Sequence, residues 1–364
     1  MLSSLDRQLI ELLGQKIAAS KLSKGHPEAA SGINQLLHQN DVPEFVWQNL
    51  TLNCQAANQA INNSLNSTDS KRVTLIGGRG KMGQFFACQL FDAGHRVDII
   101  EQSNWDDAPE LLDRADLVLL CVPINIITTV IDKAAPFLNP SAVLVDISSL
   151  KVSVVSTMLE YHQGPVVGLH PMFGPGVTSF LSQNVVVCPG RHLQACQWFL
   201  DLIENQGGNL VYCSPEEHDR LMGVVQAIRH FSVFGLGVFL AEEGVDLQKT
   251  LGVTSPLFRV QLDMVSRLFA QDGSLYLEIM LSNQENSDLI GRLAKVYARL
   301  AELVQKKDKY SLQQTFTSTR HFYQSQTTPA MSETNHLINS LTAFLAAKDK
   351  TKQIKQKIKT LLHQ

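Results

Sequence analysis

The stretch VTLIGGRGKMG, residues 73–83, constrains this chain more than any other. A short apolar run enters a glycine-rich turn, and an amphipathic segment, residues 84–93, leaves it. Gly78, Gly80 and Gly83 stand in G-x-G-x-x-G spacing. There the first glycine permits a tight turn out of a strand, the second lets backbone approach a pyrophosphate, and the third lets a helix pack on the sheet. The helix then turns its N-terminal amides and dipole toward the phosphates. Glycines also recur in ordinary turns, so the spacing takes its weight from context. A second apolar run, residues 96–100, follows a turn at Gly94, and Glu101 closes it 18 residues after Gly83. A carboxylate there is placed to accept adenine-ribose hydroxyls and repels a 2′-phosphate, which favours NAD over NADP. Arg79 in the loop and Arg96 on the second strand blur that preference. Arg79, Lys81, Met82, Val122 and Pro123 complete the expected cofactor-binding set with the three glycines and Glu101.

Around this loop, residues 72–190 alternate short apolar runs with amphipathic segments. Strands are expected at 73–76, 96–100, 117–123 and 142–147, with helices near 84–93, 108–113 and 126–137. Such repetition builds a Rossmann-type, doubly wound parallel sheet covered on both faces. Runs at 166–169 and 185–188 extend it. From residue 191 to 349 the pattern is mainly helical, with one last short strand near 210–213. Pro215, Glu216 and Glu217 open a long helix, as proline and acids suit a first turn. Further helices are expected at 254–269, 275–303, 309–323 and 333–348, then a tail, 350–364. The long helix is apolar nearly all round (Val224, Val225, Ile228, Phe231, Val233, Phe234), so it wants partners on several sides. A dimer core and burial within one subunit both satisfy that.

Residues 1–65 read as a separate helical segment. Leu5, Leu9, Leu12, Leu13 and Ile17 recur at helical spacing. A second helix, carrying Val46, Leu50, Ala57 and Ile61, ends near Asn62, and a polar, proline-marked connection lies between the two. Residues 62–71 are rich in turn formers and form the clearest linker.

At 364 residues, two or three domains are expected, and a hydrophobic share of 44% with 18% charged residues allows a sizeable core. A net charge of −3 argues against nucleic acid or an anionic membrane as the main partner. The six cysteines form no C-x-x-C pair and no metal spacing, so no metal is expected. Cys88 and Cys121 lie in apolar runs and read as buried thiols of a reducing compartment. With no leader pattern and no run of 18 apolar residues, a cytoplasmic protein without a membrane span is expected.

Four stretches, GLHPMFG (168–174), QAIRHF (226–231), TSPLFR (254–259) and RLFAQD (267–272), together resemble prephenate dehydrogenases. The resemblance is strongest to the dehydrogenase half of bifunctional chorismate mutase/prephenate dehydrogenases and covers residues 72 to about 325. It implies a Rossmann domain, a helical domain through which a homodimer forms, and NAD- or NADP-linked oxidative decarboxylation of prephenate to 4-hydroxyphenylpyruvate. In that chemistry a hydride leaves the carbon bearing the hydroxyl, carbon dioxide departs, and aromatisation drives the reaction. The protein must then position the substrate and handle one proton.

His170 follows a strand at the carboxyl edge of the sheet, where doubly wound folds bind ligands. It matches the family's histidine in this motif, and a histidine suits deprotonation of that hydroxyl. Ser149 resembles a family serine that hydrogen-bonds the same hydroxyl, while helix capping by Ser148 or Ser149 is the plainer reading. Lys151 either adds positive charge near the cofactor or substrate or is solvated. Prephenate carries two carboxylates, which suit arginine's planar fork. Arg267 matches the family arginine for the ring carboxylate, or forms an interhelical salt bridge; Arg259 reads as structural. His230 matches a pocket-lining histidine, or is a satisfied core residue, and Gln226 one turn earlier faces the same way. Tyr276 matches a tyrosine near the substrate site. His218, just inside a helix start, reads as structural. Pro175-Gly176 stand where relatives place an acidic residue, which weighs toward prephenate over the amino-bearing arogenate.

Residues 5–16 resemble the first helix of the chorismate mutase module, whose pocket is lined with cations. Lys16 stands where that family has an arginine, only Glu28 remains of an Arg-Glu pair, and Gln55 and Gln59 could imitate the polar end. Too few cations remain for a dianion, so a vestigial mutase is expected. Other readings are an arogenate dehydrogenase, a hydroxyacid dehydrogenase lacking the usual lysine–asparagine pair, and an NAD-binding regulatory protein.

Overall fold

The computed structural model describes residues 4–20, 29–62 and 69–361. They fall into two compact units, Met1–Met222 and Gly223–Gln364.

The first unit opens with α1 (Ser4–Ser20), α2 (Ala29–Gln39) and α3 (Glu44–Asn62). α1 and α2 both pack on α3. The Lys16 ammonium lies 4.2 Å from the centroid of the Trp47 ring, a cation–π contact that ties α1 to α3. Helix α2 occupies the stretch expected as a connection. Ile33 and Leu37, four residues apart, are its half-buried side chains, too sparse a stripe to stand out beside Ser31 and Gly32. Glu28 and the side chain of Gln59 lie outside the described residues.

The sheet follows: β1 (Arg72–Ile76), α4 (Lys81–Asp92), β2 (Arg96–Ile100), α5 (Ala108–Asp113), β3 (Leu117–Leu120), α6 (Ile127–Ala134), β4 (Val143–Asp146), α7 (Val152–Tyr161), β5 (Val166–Pro171), β6 (Asn184–Arg191), α8 (Gln197–Asn205), β7 (Asn209–Tyr212) and α9 (Pro215–Met222). Its seven strands run in the order β2-β1-β3-β4-β5-β6-β7. The apolar strands face two ways with period two. Val73, Leu75, Leu117, Leu119, Val143 and Val145 bury one face against Phe86 of α4 and Phe199 of α8. Ile76, Val118, Leu120 and Leu144 bury the other against Leu112, Ile131 and Met158 of α5, α6 and α7.

Three expectations are corrected here. The sheet is mixed rather than wholly parallel, because β6 runs antiparallel to β5 while β7 pairs parallel with β6. The connection 172–183 contains no helix, and a parallel return needs a crossover that is usually helical. The boundary expected at residue 191 falls instead after Met222. β6, α8 and β7 complete the sheet, and Phe199, Leu200 and Ile203 share a core with β1 and β3. Cys88 is exposed on α4 rather than buried.

The second unit is all-helical among the described residues. A π-helical segment (Gly223–Ile228) leads into α10 (Arg229–Glu242), α11 (Leu247–Gly252), α12 (Pro256–Phe269), α13 (Ser274–Leu281), α14 (Gln284–Gln305), α15 (Lys309–Phe322) and α16 (Thr327–Leu361). The single helix expected at 275–303 breaks before α14, where Asn283 turns extended and its Oδ1 accepts the Asn286 amide at 2.8 Å. α16 also continues helically through most of the expected tail; residues 362–364 lie outside the described residues. α10 packs on α12 and α13, and the π segment packs on α13 and α14.

Candidate active site

At the end of β1 the left-handed turn falls on Gly77, with φ +82°, not on Gly78. A Cβ on Gly77 would lie 2.8 Å from the Cys121 carbonyl oxygen, so the ends of β1 and β3 meet at a point only glycine fits. Here the strand order reverses direction, the crevice where such sheets bind ligands. A Cβ on Gly83 would lie 2.6 Å from the Gly77 carbonyl oxygen, so α4 seats directly on the loop. Gly80, its N-cap, provides no side-chain cap, which leaves first-turn amides for an anion. The Arg79 amide donates to Glu101 Oε1 at 2.7 Å, and Gln84 Nε2 donates to the Arg79 carbonyl at 2.8 Å. The loop is therefore held in shape with a carboxylate beside it. Val122, half-buried, packs at the end of β3 and Pro123 is exposed. A cradle without side chains, an uncapped helix and that carboxylate together fit an adenine dinucleotide.

His170, second from the end of β5, is 3% exposed. Its Nδ1 lies 2.8 Å from Nε2 of His218 on α9, and His218 Nδ1 lies 2.7 Å from Asp219 Oδ1. The Asp219 carboxylate also accepts the amides of Lys151 at 2.8 Å and Val152 at 3.0 Å, capping α7 from a neighbouring helix. Burial works to raise the Asp219 pKa, but hydrogen bonds from His218 and from those two amides outweigh it and hold the group below the usual carboxylate range. An ionised Asp219 only accepts, so the proton between it and His218 sits on Nδ1. In that tautomer His218 Nε2 accepts from His170 Nδ1–H, and His170 Nε2 carries the lone pair. Burial foremost, then the positive charge of Lys151, holds His170 well below the usual histidine pKa. The imidazole is thus a neutral proton acceptor.

Lys151, expected either near cofactor or substrate or in solvent, is 0% exposed. Its Nζ donates to Asp146 Oδ2, to the Leu169 carbonyl at 2.8 Å and to Ser148 Oγ at 3.5 Å. An ammonium has three N–H groups, and all three are engaged, which leaves none for a ligand. Ser148, not Ser149, joins this network, its Oγ donating to Asp146 Oδ2 at 2.6 Å. Ser149 is half-buried and forms no hydrogen bond with the described residues. Neither serine caps α7; Asp219 does.

In the second unit His230 is buried on α10, its ring 4.8 Å from that of Tyr276 on α13. Its Nδ1 lies 3.4 Å from Arg229 Nη1, a long contact in which the guanidinium donates. Burial first, and Arg229 second, lower its pKa to about 4. With Nδ1 accepting, its proton sits on Nε2. Gln226 is half-buried in the π segment, a distortion of helices common at functional sites. Arg267 is exposed on α12 between buried Val265 and Leu268, with no ion pair among the described residues. The interhelical salt bridge is therefore not formed. Arg259 pairs only loosely with Asp263, at 4.0 Å on the same helix.

Against known proteins, residues 90–212 match the family model "Prephenate dehydrogenase, nucleotide-binding domain". Residues 214–318 match "Prephenate dehydrogenase, dimerization domain". The T-protein of Enterobacter agglomerans is 38% identical over 74% of this chain and 72% of its own length. The chain belongs to the prephenate dehydrogenase family. The T-protein of Haemophilus influenzae is 30% identical over 93% of this chain and 94% of its own length, so the likeness reaches into the N-terminal helices. In fold, the chain is similar to the prephenate dehydrogenase of A. aeolicus solved with hydroxyphenyl propionate and NAD+, with a TM-score of 0.59, 22% identity, and coverage of 71% of this chain and 99% of that one. As a dehydrogenase of this family, the chain carries two groups that sequence reasoning passed over. His218 and Asp219 looked like helix-start residues, and their adjacency to His170 exists only because β7 delivers α9 beside β5 and α7. Asp146 ends a strand like any other apolar-run terminus. Its spacing from Ser148 and Lys151 was the one available signal.

Proposed function

We propose that this dehydrogenase oxidises prephenate with NAD, releasing carbon dioxide and forming 4-hydroxyphenylpyruvate for tyrosine synthesis. The observation that carries the reading is His170, neutral at the carboxyl end of β5 and backed by His218 and Asp219. Residues 77–83 would hold the pyrophosphate and Glu101 the ribose, with Arg79, Lys81, Met82, Val122 and Pro123 around them. When bound, NAD supplies the hydride acceptor. His170 Nε2 takes the hydroxyl proton as the ring carbon becomes a carbonyl carbon, and Ser149 hydrogen-bonds the same oxygen. The imidazolium so formed is offset by Asp219 through His218, as in a serine-protease triad. Arg267 supplies the fixed cation for a carboxylate, since its guanidinium is exposed and unpaired among the described residues. His230 donates from Nε2 to the substrate, and Gln226 and Tyr276 take part in its binding.

The protein acts as a homodimer in the cytoplasm. Val224, Val225 and Phe239 are 59%, 47% and 56% exposed in the single chain, and they lie in the stretch that matches the dimerization domain. The run Pro215–Glu242 is long and apolar enough to cross a membrane by length and composition. A dimer core accounts for that apolarity equally well, and buried His218 and His230 within it suit an enzyme rather than lipid. The N-terminal helices serve as a vestigial mutase: Lys16 is engaged by Trp47, which removes one of the few cations that could hold a dianion.

The test is the rise of the reduced-nicotinamide absorbance with prephenate or arogenate and NAD or NADP. Prephenate with NAD should lead each other pair by at least ~10-fold in kcat/KM. Faster turnover of arogenate would establish the runner-up reading.

A further inference from the structure

We propose that Lys151 is a positioning residue for His170: anchored on Asp146, its ammonium clamps the Leu169 carbonyl and sets a fixed positive charge behind the imidazole. The inference rests on the reading of His170 as the proton acceptor. Leu169 immediately precedes His170, so the 2.8 Å bond from Lys151 Nζ fixes the strand end that carries the imidazole. Gly168 makes room for the stem. A Cβ there would lie 3.0 Å from Lys151 Cδ and 2.7 Å from Val155 Cγ2, so a larger residue would push the lysine out of line. The glycine that opens GLHPMFG is therefore required by the close approach of both Val155 and the lysine stem.

The backbone of Lys151 adds a second tie. Its amide donates to Asp219 at 2.8 Å, the carboxylate that also orients His218. One residue thus touches both approaches to His170: by its side chain through Leu169, and by its main chain through Asp219 and His218. The titratable and charged groups around His170 in this unit are Lys151 at the start of α7, Asp146 at the end of β4, His218 and Asp219 on α9, and Cys188, which pairs with Gly168 across β5 and β6. Lys151 and Asp219 oppose each other. The ammonium adds to burial in keeping the resting imidazole unprotonated, and the carboxylate tempers the charge once the proton arrives. Asp146 Oδ2 holds the lysine in place together with Ser148, whose amide and hydroxyl donate to it at 2.9 and 2.6 Å.

Lys151→Met alone would strand a buried carboxylate and risks unfolding, so the informative variant is Asp146→Asn/Lys151→Met, which removes both charges. The His170 ring is titrated by NMR of histidine-labelled protein, and the pH profile of kcat/KM with prephenate and NAD is measured on the same samples. The proposal expects the His170 titration and the acid limb of kcat/KM to move together to higher pH, with KM changed by less than about threefold. A ring titration that stays put in a folded double variant overturns it, as does a KM rise of ~10-fold or more with an unmoved profile, which would make Lys151 a substrate ligand. If the ring titration moves and the acid limb does not, Lys151 acts as proposed and the reading of His170 as the base fails instead.

Discussion

Two buried histidines, one in each unit, show how burial and wiring divide the work. His170 and His230 are 3% and 7% exposed, and burial is the foremost cause of a lowered pKa in both. Their Nδ1 atoms face opposite partners. His170 donates into His218 and on to Asp219, which leaves Nε2 as an acceptor. His230 accepts from Arg229, which leaves Nε2 as a donor. A proton reaching His170 finds a carboxylate one ring away, while a proton reaching His230 finds a guanidinium beside it. Burial makes each imidazole neutral; the group behind it decides whether it takes a proton or offers one.

This contrast can be broken most forcefully at His170. His170→Asn should cost ~10³-fold in kcat/KM, with thermal unfolding near that of the parent. Arg267→Ala should cost ~10–100-fold, carried by KM, because a charge-assisted pair is lost from bound substrate and transition state alike. Asp219→Asn should lower kcat by about 10-fold, and lose ~1–2 kcal/mol of stability with the cap on α7. In that variant the wiring is cut while both histidines stay buried, so an unchanged kcat would show that burial alone suffices. His230→Gln keeps a donor and should raise KM only about threefold.

The pH dependence follows with its sign. The folded-state pKa of His170 is depressed, so neutral His170, and the activity that needs it, is present at neutral pH and lost as pH falls through that lowered value. For stability, the unfolded chain takes up the proton first, near pH 6.5, while the folded state does not. Stability therefore falls as pH drops below that point, and thermal unfolding followed from neutral to acidic pH should show it. His230, at about 4, adds to the same acid loss.

Much of this was legible in the sequence because local patterns carry it. The glycine spacing, the apolar strands and Glu101 are each defined by near neighbours, and they predicted the loop, its helix and the order of strand and helix. The reversal at β6 was not legible: Val185–Cys188 reads as a buried strand in either direction, and only the helix-free connection 172–183 betrays it. The site divided the same way. His170 stands in a motif, but His218 lies 48 residues further on, and nothing local says that the two rings touch. Lys151 looked like a surface cation because lysine usually is one. Its burial depends on Asp146, Leu169 and Gly168, which come together only when β4, β5 and α7 pack.

The most direct test is kcat/KM for prephenate and NAD, measured from acidic to alkaline pH in the parent and in His170→Asn. The parent should show an acid limb lying below pH 6.5, and the variant should be ~10³-fold slower with that limb gone. A variant that keeps the parent's rate and acid limb would show that the proton leaves by another route.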